Sequence, residues 1–238
     1  MADYQTINAV GTGARTAQLD EGLRAHMNKV YGLMSVAMLI TAGVAWAVGT
    51  NDAMVAAVFG TPFKWVAMFL PLVMVFAFSA MINRMSVAAA QLFFYAYAAA
   101  VGLSLSFIFA VYTGTSITQT FLVTSIAFAG LSLYGYTTKK DLSGMGSFLI
   151  MGVVGLIVAM LLNAFVFKSG VMGLAISALG VLIFAGLTAY DTQRIKSMYA
   201  YVAGTDMVGK TVIMGALSLY LDFINLFQFL LSFMGNRN

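Results

Sequence analysis

The sequence predicts an all-α polytopic membrane protein, a bundle of seven transmembrane helices with a cytoplasmic N-terminus and an external C-terminus. Of its 238 residues, 61% are hydrophobic and only 8% are charged, whereas soluble proteins carry about 25% charged residues. Seven apolar runs, each near the roughly 20 residues that a helix needs to cross a bilayer, alternate with short polar segments. We therefore divide the chain into a polar cytoplasmic tail, residues 1–28, and a seven-helix transmembrane domain, residues 29–238.

The apolar runs set the approximate limits of the spans. Pro71 is expected to kink the second span, and the fourth is the shortest, with a predicted extension through residue 117. The segment 194–210 is longer than a turn requires and is expected to hold a short extra helix. The predicted spans cover residues 30–49, 65–82, 87–112, 121–136, 145–167, 171–190 and 212–234.

The basic residues set the orientation, because cytoplasmic loops carry an excess of Lys and Arg. With the N-terminus inside, nine basic residues lie on the cytoplasmic side and three outside. The inner set is Arg15, Arg24, Lys29, Arg84, Lys139, Lys140, Arg194, Lys196 and Lys210, and the outer set is Lys64, Lys168 and Arg237. This bias also supports an odd number of spans.

Composition excludes several kinds of site. The chain has no cysteine, so disulfides, thiolate metal sites and thiol catalysis are excluded. Its single histidine, His26, precedes the first apolar run and is expected to be solvated. The basic residues are spread over short loops without a dense patch, which argues against nucleic-acid binding.

One aspartate lies near the middle of the last apolar run. A carboxylate at this depth costs roughly 2.5–3.5 kcal/mol on insertion scales, so such a residue is a candidate functional site by default. Asp222 has Ser218 four residues before it and Asn225 three residues after it. At helical spacing these three side chains share one face.

Two further charged residues are predicted to lie in the same cytoplasmic half of the bundle. Asp191 is placed at the cytoplasmic end of the sixth span, and Arg84 at that of the second. Two carboxylates within hydrogen-bonding distance cannot both ionise cheaply, so they share a proton and titrate as a pair. They are also oxygen ligands suited to weak, transient contact with Ca²⁺, although a full site needs six to eight oxygens.

Simpler interpretations of two of these residues stay open. Asp191 could be an ordinary residue at a helix end, with Arg194 as its neighbour at i+3. Arg84 could be a topology anchor in a tight turn.

The sequence resembles the Bax inhibitor (transmembrane Bax-inhibitor-motif) family over about residues 25–236. The likeness is carried by Tyr190-Asp191-Thr192-Gln193, by Leu219-Tyr220-Leu221-Asp222-Phe223-Ile224-Asn225-Leu226-Phe227, and by Thr137-Thr138-Lys139-Lys140-Asp141-Leu142-Ser143 after the fourth span. The short polar tail resembles that of a bacterial member, in the inner (plasma) membrane.

The resemblance implies a pH-sensitive Ca²⁺ leak channel. In that family an aspartate dyad between the sixth and seventh helices, matched here by Asp191 and Asp222, is latched by an arginine at the end of the second helix. Arg84 matches that arginine by position. The expected partners are the bilayer, protons and Ca²⁺ as the permeant ion, with no cofactor.

A second function implied by bacterial relatives is a non-transporting protein that binds and modulates a membrane-bound ATP-dependent protease, with the tail 1–28 as a handle. An intramembrane aspartyl protease is poorly supported, because no Gly-Xaa-Gly-Asp pattern surrounds Asp191 or Asp222. We expect no enzymatic activity.

Overall fold

The computed structural model describes the backbone of residues 2–238 and the side chains of residues 19–238. Nine α-helices form in the described backbone, with a 3₁₀ turn at Ile82–Arg84 and a π-helical turn at Asn163–Phe167. The helices are α1 (Ala2–Gly49), α2 (Asp52–Phe59), α3 (Phe63–Met81), α4 (Val87–Leu105), α5 (Ile108–Val111), α6 (Gly114–Thr137), α7 (Ser143–Leu162), α8 (Gly170–Val202) and α9 (Val208–Met234).

Seven helical segments of the described chain are long and apolar enough to cross a membrane. This confirms the predicted all-helical class and the number of spans. Helices suit this composition because every backbone N–H and C=O must find a partner inside the segment when lipid surrounds it. Side chains of Ser86, Thr113 and Ser169 accept hydrogen bonds from the first turns of α4, α6 and α8, which sets where those helices begin.

The sixth span is longer than predicted. Helix α8 continues twelve residues beyond 190 and ends at Val202, where Gly204 adopts a positive φ of 78°. The prediction that Asp191 stands at a helix end is therefore wrong, as is that of a separate helix within 194–210. The apolar run stops at 190, but no glycine or proline interrupts the chain until Gly204, so the helix persists after its apolar character has ended.

Hydrogen bonds that join helices to loops show which ends of the helices share a face. On one face, Lys210 donates to the backbone carbonyl of Asn83 at 2.8 Å, and Gln193 donates to that of Lys140 at 2.8 Å. On the other, the amide of Thr113 donates to the carbonyl of Asn236 at 3.1 Å. These pairings agree with seven alternating crossings. That the Lys210 face is the cytoplasmic one follows from the charge bias and stays a prediction.

Helix α9 is the centre of the bundle. In its most apolar stretch 72% of the residues are buried, against 11% for α7, which lies at the periphery. The fully buried Tyr220 shows how α9 is held: its hydroxyl lies 2.6 Å from that of Thr41 on α1. Thr41 in turn donates to the carbonyl of Ala98 on α4 at 2.9 Å. One polar chain thus ties three helices at depth, where each group needs a partner.

Candidate functional site

A cavity of about 420 Å³ lies between α7, α8 and α9. Its apolar walls come mainly from α7 and α8, whereas its polar groups come from α8 and α9. Those polar groups include two carboxylates, a guanidinium, a hydroxyl and a carboxamide. They belong to Asp191, Arg194, Ser218, Asp222 and Asn225.

The spacing of α9 presents Ser218, Asp222 and Asn225 to this cavity, as their positions predicted. Asp222 is only 4% exposed, and its Oδ2 has no hydrogen-bond partner among the described residues. Asn225 donates to the carbonyl of Leu221 within the same helix at 2.8 Å. Because this hydrogen bond uses only the side-chain NH₂ group of Asn225, the side-chain oxygen can still accept a hydrogen bond from a group in the cavity.

Hydrogen bonds of the two residues that follow Asp191 fix the rotation of α8. Thr192 is fully buried, with its hydroxyl 2.9 Å from that of Ser132 on α6. The side chain of Gln193 donates to the carbonyl of Lys140 at 2.8 Å and so holds the loop that follows α6. With its two successors held by α6 and this loop, Asp191 is turned toward α9, where it lines the cavity together with Asp222.

The basic residue that lines this cavity in the described chain is Arg194, one helical turn beyond Asp191. Arg84 lies elsewhere, exposed in the 3₁₀ turn that ends the second span. The structure thus brings four of the five predicted site residues together and leaves Arg84 outside. The i,i+3 spacing from Asp191 was the sequence signal that pointed to Arg194.

A second cavity, of about 390 Å³, adjoins the first on the side of the C-terminal end of α9. Its polar lining comes from Asn163, Ser177, Gln228 and Ser232, and it shares Met160, Asn225 and Phe229 with the first cavity. The site predicted from the sequence does not include this cavity. The signal was present, because the spacing of Ser218, Asp222 and Asn225 continues through position 229 to Ser232.

Phe229 occupies the boundary between the two cavities. Its ring stacks on Phe184 of α8, with centroids 5.7 Å apart. It also lies directly over Gly180, where an added Cβ would stand 2.5 Å from the ring. Glycine at position 180 therefore makes the room that the aromatic ring fills, and an apolar side chain separates two polar spaces.

The cavity offers oxygen ligands but not a closed metal site. No group of three His, Cys, Asp or Glu side chains suited to a metal ion occurs among the described residues. Two carboxylates, a hydroxyl and a carboxamide reach six oxygens, the lower limit for Ca²⁺, only if both carboxylates bind bidentately; with one oxygen from each carboxylate they fall short. This donor set fits brief contact with a hydrated cation better than storage.

Seven apolar helices around a buried carboxylate define a polytopic membrane protein with a charged cavity inside its bundle. Residues 23–238 match the model of the family described as "Inhibitor of apoptosis-promoting Bax1", and the chain belongs to this family.

Similar proteins occur in other bacteria. The chain is 46% identical over 238 residues to the uncharacterized protein RP147 of Rickettsia prowazekii, covering 100% of this chain and 99% of the relative. It is 45% identical over 219 residues to the inner membrane protein YbhL of Escherichia coli, covering 91% and 93% respectively. With seven spans and this likeness, the chain is a multi-pass inner membrane protein.

Proposed function

We propose that the protein is a pH-sensitive Ca²⁺ leak channel of the inner membrane, gated by protonation of Asp191 and Asp222. The observation that carries the proposal is the burial of Asp222 beside a cavity. It is 4% exposed, one of its carboxylate oxygens has no hydrogen-bond partner among the described side chains, and it lines a cavity with a second carboxylate. A membrane protein rarely keeps such a costly group unless the group has a task.

The proposed mechanism follows from charge. Two carboxylates bordering one cavity repel when both are ionised, and a proton or a cation relieves that repulsion. Protonation would therefore draw α8 and α9 together, whereas ionised carboxylates would attract a cation into the space between them. Ser218 and Asn225 would supply neutral oxygens to an ion in transit.

Two arginines are candidates for the latch on this pair. Arg84 matches the family arginine by position, and Arg194 lines the cavity in this conformation. A latch at Arg84 requires the end of α3 to approach the cavity, whereas Arg194 needs no rearrangement. Arg84→Gln and Arg194→Gln, compared in one flux assay, separate these two assignments.

The test is Ca²⁺ flux into proteoliposomes that contain the purified protein and an entrapped fluorescent indicator, between pH 6 and pH 8. Asp222→Asn keeps the shape of the side chain and removes its titration, so the pH dependence of flux should flatten. The matched control is Asp206→Asn, an exposed aspartate in the loop before α9, which should leave the profile unchanged.

Two results would refute the proposal. Flux no higher than in empty liposomes would rule out a leak, and an Asp222→Asn profile identical to that of the parent chain would rule out the dyad. The alternative, modulation of a membrane-bound protease, rests on the tail 1–28. The side chains of residues 1–18 lie outside those that the structure describes, so this function stays a prediction.

A further inference from the structure

The single histidine of the chain is buried, and no described residue forms a hydrogen bond with its side chain. His26 is 2% exposed, so the prediction that it is solvated is wrong. Neither Nδ1 nor Nε2 has a hydrogen-bond partner among the described residues. Its ring packs on Tyr199 near the end of α8, with centroids 5.1 Å apart. Leaving a buried polar group without a partner destabilises the folded state, which points to a ligand that would complete its hydrogen bonds.

His26 lines a cavity of about 720 Å³ formed by α1, the start of α4, the end of α8 and the start of α9. This volume lies within the range of about 300–1,000 Å³ that is usual for small-molecule sites. Lys29 and Gln91 add polar groups to the lining. Added Cβ atoms at two of the lining glycines, Gly32 and Gly204, would meet nothing within 4 Å, so these positions leave the space open.

The N-terminus of α9 also borders this cavity. Val208 and Gly209, the first two residues of this 27-residue helix, are among the lining. The N-cap residue, Met207, provides no side-chain hydrogen bond to the first turn. Amide N–H groups at such a helix start lack partners within the helix and carry a partial positive charge, which together favour an anion. The Val208 amide already donates to the Thr205 carbonyl at 3.3 Å, so the amides open to a ligand begin at Gly209.

We propose that this cavity binds the phosphate group of an anionic ligand. The nitrogens of His26 are closed off in this conformation, so its ring would turn toward the cavity on binding. The imidazole and the amide of Gly209 would then donate hydrogen bonds to phosphate oxygens, and Lys29 would supply the positive charge. The lining in the described chain contains a lysine and no carboxylate, so its charge complements an anion. Apolar walls from Leu33 and Val212 suit the remainder of a ligand larger than phosphate itself.

Two sources could supply this phosphate: the headgroup of an anionic phospholipid in the adjoining leaflet, or a phosphate compound in solution. Because the site is separate from the acidic cavity, the proposal does not depend on Ca²⁺ transport. Both sources share the chemistry that the cavity recognises, and the experiment distinguishes them.

The experiment uses the full chain labelled with ¹⁵N-histidine, in which His26 gives the only imidazole signals. One arm titrates inorganic phosphate into protein held in phosphatidylcholine nanodiscs. A second arm replaces part of the phosphatidylcholine with phosphatidylglycerol, without added phosphate. Each arm is repeated with Lys29→Gln and with the control Lys139→Gln, both at exposed lysines on the same face.

We expect a saturable shift of the His26 signals in one arm, and an affinity about tenfold weaker in Lys29→Gln but unchanged in Lys139→Gln. A shift with inorganic phosphate identifies a soluble ligand, and a shift with phosphatidylglycerol alone identifies a lipid. Unmoved His26 signals in both arms, or equal effects of the two lysine variants, would overturn the proposal. The main measurement is made on the parent chain, so the test does not require a folded His26 variant.

Discussion

Replacing Asp222 by leucine should stabilise the protein while it abolishes the pH response of flux. The substitution removes a carboxylate that is 4% exposed and has one oxygen without a hydrogen-bond partner in the described part of the chain. Removing such a group regains about 1–3 kcal/mol of free energy of unfolding. Leucine is larger than aspartate, but the adjoining cavity of about 420 Å³ gives the added methyl groups room without overpacking.

The assay is thermal unfolding of the purified protein in detergent, followed by flux in proteoliposomes. A gain of 1 kcal/mol raises the melting temperature of a chain of this size by about 2–4 °C, so we expect a rise of about 2–12 °C. Asp206→Leu, at an exposed loop position, should change the stability by less than about 0.5 kcal/mol.

A fall in melting temperature of Asp222→Leu would refute this reasoning. It would mean that Asp222 holds neighbouring groups together in the folded state, so that its burial is structural. A rise in melting temperature with an unchanged pH profile of flux would refute the functional part alone, since the carboxylate would then be dispensable for gating.

Three other substitutions test the packing and the cavity. Phe229→Ala should raise Ca²⁺ flux several-fold, because it opens the apolar barrier between the two cavities; Phe233→Ala, an exposed position on the same helix, is the control, and equal flux in both variants would contradict the barrier. Gly135→Val should lower the free energy of unfolding by about 1–3 kcal/mol, because an added Cβ would stand 3.0 Å from the Ala189 Cα. Gly130→Val on the same helix meets nothing within 4 Å, so an equal loss of stability there would contradict the close approach. Asp141 accepts a hydrogen bond from the Ser143 amide at 2.9 Å, which holds the pKa of this carboxyl below its usual value. Its contribution to stability is therefore present above the unfolded pKa of about 3.9 and lost as the pH falls through the lower folded value. Asp141→Ala should lower the melting temperature at pH 7 but not in acid below the lowered folded pKa, and a difference that persists there would contradict this.

Apolar run lengths predicted the seven spans well, because a helix in lipid must satisfy its own backbone and needs a fixed length to cross. They failed at the end of α8, because the helix continues past the last residue of the apolar run and ends just before Gly204. The short helix α2 was also missed. Its start at Asn51, whose side chain accepts from the Met54 amide at 3.1 Å, is a capping signal that hydropathy does not register.

The candidate site divides in a similar way. Ser218, Asp222 and Asn225 could be placed together because they belong to one helix with a known period. Their placement in the same half of the bundle as Asp191 could be predicted from the alternating direction of the spans alone. The positions of Arg84 and His26 depended on how distant helices pack, and the burial of His26 by Tyr199 joins opposite parts of the sequence. No local pattern reports such a contact, so both expectations rested on sequence neighbours alone.

The two sides of α9 have different surroundings, which explains how one helix can lie in the packed core and also carry a buried carboxylate. On one side, Tyr220 is bound through Thr41 to two further helices and is fully buried. On the other side, Asp222 lines a cavity whose outer wall is α7, the least buried of the seven spans. A change in the position of α7 would alter this cavity while the packing around Tyr220 stayed intact. The response to protonation that we propose would therefore cost the bundle little stability.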